Sequence, residues 1–121
     1  MSYFFDPEVF LEIAKKLIHD KKYDQNGRLR TSIGRSYYAA FLKSKMKLES
    51  LGKTFYDDSR LHADVRSKLI GIKKSNIAVL LERLFDIRVM ADYFPKARID
   101  ILLCDKSITL SENILKLIDE L

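Results

Sequence analysis

Residues 75–93 read SNIAVLLERLFDIRVMADY. Ile77, Leu80, Leu81, Leu84, Phe85 and Ala91 recur at helical spacing and mark one apolar face. Arg88 falls one turn after Leu84, where that pattern asks for another apolar side chain. Asp92 follows one turn later on the same side. A guanidinium taken into an apolar interior without a partner loses several kcal/mol of solvation. Two readings of the pair follow. Arg88 and Asp92 form a buried structural pair, extended to Arg35 or Tyr38 of an earlier helix, that fixes the register of a bundle. Or they line a cleft that binds a phosphate or a partner's acidic group.

The remaining sequence places this helix among others. Asp6 is a suitable cap and Pro7 a suitable first residue for a helix running to about His19. Val9, Phe10, Ile13, Ala14 and Leu17 would be its inner face. Residues 21–27, KKYDQNG, read as a polar loop with an Asn-Gly turn. A long helix is expected from about Arg28 to Leu51, with Gly52 just beyond its end. Leu29, Ile33, Tyr37, Ala40, Phe41, Leu48 and Leu51 give it one apolar face. Tyr38, Leu42 and Met46, spaced by four, give it a second. A helix with two apolar faces is central to its bundle or serves an interface, and the second stripe leads us to expect a homodimer. Phe55 and Tyr56 lie in a loop. The next helix is expected over about Arg60–Ile72, capped by Asp58 or Ser59, with His62 at the edge of its inner face. Ser75 is expected to cap the helix that carries Arg88, which should end before Pro95. Residues 94–105 carry the weakest pattern, and within them Ile99–Leu103 read as a helix start or as an extended connector. The last helix is expected over Ser107–Asp119, with Ser107 as its cap. The sum is an all-α bundle of four long helices and a shorter fifth element, with mostly antiparallel neighbours.

A chain of 121 residues is one domain, residues 1–121, and 47% hydrophobic content is enough for a core. Only four Gly and two Pro, with no strand-like alternation, favour helix. No apolar run is long enough for a membrane span, and the first residues lack the charged-then-apolar order of a signal peptide. We therefore expect a soluble cytoplasmic protein. Cys104 is the one cysteine and reads as a small core residue. His19 and His62 have no ligand-type neighbour at metal spacing, and the four glycines are too scattered for a phosphate loop, so no metal or cofactor is expected. The net charge of +5 is uneven. Six basic residues and no acid occupy residues 28–47 (Arg28, Arg30, Arg35, Lys43, Lys45, Lys47), whereas residues 61–121 hold ten basic and nine acidic ones. The basic stretch reads as a solvated helix face or as an attractor for RNA, a nucleotide or an acidic protein.

GRSYYAAF at residues 34–41, taken with RVMADY at residues 88–93, resembles the HEPN family, most of all its small single-domain members. The likeness runs over roughly Phe5 to Leu121 and includes His62 opening the helix between the two motifs. The resemblance implies a helical bundle. It also implies that a protein of this kind is often encoded beside a minimal nucleotidyltransferase, as one half of a toxin–antitoxin or defence pair. Many members are metal-independent ribonucleases whose arginine is separated from a histidine by roughly four to six residues, because histidine can move a proton near neutral pH. Here that place holds Tyr93, Phe94 and Pro95, so the motif is incomplete and the chain reads as a weakly catalytic or non-catalytic binding module. Arg35, Tyr38, Arg88, Asp92 and Tyr93 are the expected binding residues, for RNA, a nucleotide or the nucleotidyltransferase. The alternative is an endoribonuclease whose site forms across a dimer from Arg88, Arg35 and His62. A third reading is a structural helical adaptor.

Overall fold

Caps and stop signals in the sequence set several of the helix boundaries. The computed structural model describes residues 3–121, and its elements are five helices: α1 (Glu8–Leu17), α2 (Gln25–Ser50), α3 (Leu61–Gly71), α4 (Ser75–Tyr93) and α5 (Ile101–Asp119). They form an all-α bundle. No described helix is long and apolar enough to cross a membrane.

α2 starts earlier than its periodicity suggests. The Asp24 carboxylate accepts from the Gly27 N–H at 3.3 Å, so the Asn-Gly pair lies in the first helical turn, not in a loop. At its far end, Gly52 has φ 88 and donates to the Glu49 carbonyl, while Lys53 donates to that of Leu48. This is the left-handed C-terminal motif expected for Gly52. α3 ends in the same pattern. Lys73 donates to Ile70 and Lys74 to Leu69, but here a non-glycine, Lys73, takes the positive φ of 64.

Three expected caps are replaced. Asp58 holds the backbone and guanidinium of Arg60, leaving α3 without a side-chain cap. Lys74, not Ser75, precedes α4. α5 begins at Ile101, because the Asp100 carboxylate accepts from the Leu103 N–H at 2.9 Å. Ser107 is therefore inside α5, buried, with its hydroxyl donating to the Leu103 carbonyl at 3.0 Å. The inner face of α1 is also rotated from expectation. Leu11, Ala14 and Ile18 are buried, whereas Val9 and Ile13 are exposed.

α2 touches each of the other four helices. Tyr37, Phe41 and Leu48 on it pack against Val65 and Leu69 of α3, Leu81 and Leu84 of α4, and Ile114 and Ile118 of α5. Leu29 and Ile33 join Leu11 and Ala14 of α1 and Cys104 and Ile108 of α5 in a second cluster. Small residues allow close approach on that side. Ser32 donates to the Ala14 carbonyl of α1 at 2.8 Å, and the Cys104 thiol to the Leu29 carbonyl at 3.3 Å. Burial pushes that thiol up to about 11, so it stays protonated and inert. Tyr38, Leu42 and Met46 are each half-buried, and the first two pack against the main core, so the second stripe is partly absorbed within the chain.

The basic stretch of α2 is largely committed to internal partners. Arg28 donates to the Tyr23 carbonyl, Lys43 pairs with Asp6 at 2.9 Å, and Lys45 with Glu49 at 3.5 Å. Arg30 reaches across to the end of α4. Its guanidinium donates to the carbonyls of Ala91 (2.9 Å), Phe94 (3.1 Å), Pro95 (3.4 Å) and Ala97 (2.6 Å).

Lys73 lies in a conformation that costs an L-residue about 1 kcal/mol or more. Lys73→Gly should raise stability by about 0.5 to 1 kcal/mol, read as a higher urea midpoint at unchanged slope.

Candidate functional site

Two helical turns of α2, the start of α3 and the end of α4 bring one cluster together. Tyr37 is fully buried on α2, and its ring stacks on Phe41 at 5.5 Å and on His62 at 5.6 Å. His62, in the first turn of α3, also lies 4.5 Å from Phe41, 5.3 Å from Phe85 and 6.1 Å from Tyr38. The Tyr37 hydroxyl sits 2.6 Å from His62 Nδ1. Burial pushes the Tyr37 pKa well up, so the hydroxyl keeps its proton. That proton meets no other acceptor among the described residues, so Tyr37 donates and Nδ1 accepts. The ring's own proton then sits on Nε2, which presents a donor.

Burial lowers the His62 pKa, and the positive charges of Arg88 and then Arg66 lower it further. His62 is neutral at neutral pH.

Three guanidiniums surround these rings. The Arg88 side chain, 13% exposed, lies 5.2 Å over Tyr38, 5.9 Å over Tyr37 and 5.5 Å over Tyr93. Arg35 packs on Phe10 at 4.5 Å and on Tyr38 at 5.3 Å. Arg66, one turn after His62, packs on Phe85 at 4.9 Å. Its Nη1 is buried and meets no acceptor in the described chain. Only Arg88 has a carboxylate. Its Nε lies 2.8 Å from Asp92 Oδ2, but the N–H is not aligned with that oxygen, so the contact is electrostatic and not a directed hydrogen bond. Asp92 is 34% exposed and stands at the rim. Among the described residues no carboxylate lies within ion-pair distance of Arg35 or Arg66.

The structure thus gathers Arg35, Tyr38, His62, Arg88, Asp92 and Tyr93 in one place. It adds Tyr37, which reads from sequence as plain core, and Arg66, which the sequence does not single out. The spacing of His62 and Arg66, four apart on one helix, is the only signal that could have linked Arg66 to the site. Chemically, the cluster offers N–H donors from neutral imidazole and guanidinium groups beside aromatic faces. Its one acidic acceptor, Asp92, is opposed by Arg88. Compared with known proteins, the chain matches no family model and no curated sequence.

Because Asp92 reaches water, Asp92→Ala should cost about 1 to 2 kcal/mol, below the ~3 kcal/mol or more of a closed buried pair. Urea melts of the variant measure this. The His62 shift gives a second expectation. As pH falls below the ordinary histidine value of 6.5, the unfolded chain takes up a proton before the native state does. Stability from this group is intact above that value and is lost as pH falls through the lowered native pKa. Between about pH 7 and pH 5 the wild-type Tm should fall more steeply than that of His62→Phe, which has no proton to take up at this position.

Proposed function

We propose that this chain is a HEPN-like helical module that binds RNA or a nucleotide, with little or no catalysis of its own. The observation that carries this is the excess of hydrogen-bond donors over acidic acceptors in the cluster. Three guanidiniums lie against aromatic rings, only that of Arg88 meets a carboxylate, and the histidine among those rings has its Nδ1 already occupied by Tyr37. Fixed guanidiniums bind phosphate oxygens, and aromatic faces stack bases. A partnership with a minimal nucleotidyltransferase, as a toxin–antitoxin or defence pair, rests on the sequence resemblance. A homodimer rests instead on the second apolar stripe of α2, Tyr38, Leu42 and Met46, each of which keeps part of its surface exposed.

A second reading, a metal-independent endoribonuclease, is favoured by the proximity of His62 to Arg88. It requires His62 to take a proton from a ribose 2′-hydroxyl. The Tyr37 bond opposes this, since the neutral ring would have to shift its own proton from Nε2 before that atom could act as a base.

Fluorescence anisotropy with a labelled single-stranded RNA, in chelator and across a salt series, tests the binding reading. Binding should weaken with salt, and Arg66→Ala and Arg88→Ala should each reduce the slope of log K against log salt by about 0.7. The RNA should stay intact. Cleavage in chelator that disappears in His62→Ala would overturn the binding reading in favour of the ribonuclease.

A further inference from the structure

A groove of about 720 Å³ opens on the other side of Asp92, lined by Gln25, Asn26, Arg30, Asp92 and Arg98 together with the turn after α4. Its size is that of an ordinary small-molecule site. Arg30 is its spent member, because its guanidinium serves the backbone carbonyls of that turn. Arg98 is exposed and has no carboxylate within ion-pair distance among the described residues. The side-chain amides of Gln25 and Asn26 are exposed and form no hydrogen bond with other described residues. The groove therefore offers one cation and two amides, each of which can donate and accept.

Asp92 belongs to both places. Its Oδ2 faces Arg88, and its Oδ1 lies 3.9 Å from where a side chain on Gly34 would begin. No hydrogen-bond donor within the described chain meets Oδ1. A carboxylate between two phosphate sites repels both, unless the ligand brings a donor to it. A ribose 2′-hydroxyl is such a donor, and it is the group that separates RNA from DNA.

Resting on the binding reading above, we propose that the groove holds the next nucleotide of a single-stranded RNA. Arg98 contacts its phosphate, and Gln25 and Asn26 bond its base edge. At the junction the 2′-hydroxyl donates to Asp92 Oδ1, which makes Asp92 the residue that discriminates RNA from DNA.

The test compares uridine monophosphate, a short oligouridylate and its deoxy counterpart, by competition against the labelled RNA. The paired change Asn26→Ala and Arg98→Ala, both at exposed positions, should weaken the oligouridylate by about tenfold and the mononucleotide, which the cluster alone can hold, by less. Asp92→Ala should narrow the ratio of RNA to DNA affinity, whatever it does to affinity overall. If the oligouridylate is lost in Arg66→Ala and Arg88→Ala but untouched by the groove variants, the RNA reading stands and this proposal falls. An RNA-to-DNA ratio unmoved by Asp92→Ala also overturns it. If none of these variants affects binding, both readings fail together.

Discussion

The four hydrogen bonds from Arg30 to the end of α4 are the constraint on which the site depends. A helix end leaves carbonyls without partners, and an irregular turn adds more. Arg30 supplies donors to one carbonyl of α4 and three of the turn that follows. The consequence is positional. Arg88, Asp92 and Tyr93 lie in the last turns of α4, and Arg35 and Tyr38 lie one to two turns along α2 from Arg30. Fixing the end of one helix to a set point on the other fixes how these five side chains meet. The chain then turns toward Asp100, whose carboxylate starts α5.

Within the cluster, the electrostatics follow from what is missing. Arg88 has a carboxylate only at the rim, and Arg35 and Arg66 lean on ring faces. A guanidinium over an aromatic ring keeps its charge and gains a modest attraction that replaces part of its lost hydration. The N–H groups remain available. Tyr37 completes the arrangement from below. By occupying Nδ1, it chooses the tautomer of His62, and burial together with two nearby cations keeps that ring uncharged.

Much of the fold was legible in the sequence, and the failures have definite causes. The α4 face, the stop before Pro95 and Gly52 at the end of α2 follow from periodicity and backbone conformation, which are local properties. α1 failed because it is short and lies at the edge of the bundle, where Val9 and Ile13 can stay exposed while Ile18 beyond the helix is buried. At α5 a helix start over Ile99–Leu103 is one of the two readings and is the one found, but the cap is Asp100 and not Ser107, which is an equally good cap by residue type. The six expected binding or catalytic candidates share one cluster because helical spacing had already put them on facing sides. Arg30 was indistinguishable from its basic neighbours, since its first partner lies 61 residues away in the chain. Tyr37 and Arg66 were missed for the same reason: each acquires its role only through contact with another helix.

α3 has a place in the bundle unlike that of the others. Among the helices it meets only α2 and α4, and it has no side-chain cap at its start and a left-handed lysine at its end. Helices held in this way open more readily than the whole domain unfolds. Yet α3 carries His62 and Arg66, half of the donor set. When α3 lifts away, the cluster loses both, and Tyr37 loses the acceptor for its hydroxyl. Site integrity thus depends on the docking of α3 as well as on the rest of the bundle. An anion that engages Arg66 favours that docking by mass action, so that occupancy and the docking of α3 become one cooperative event.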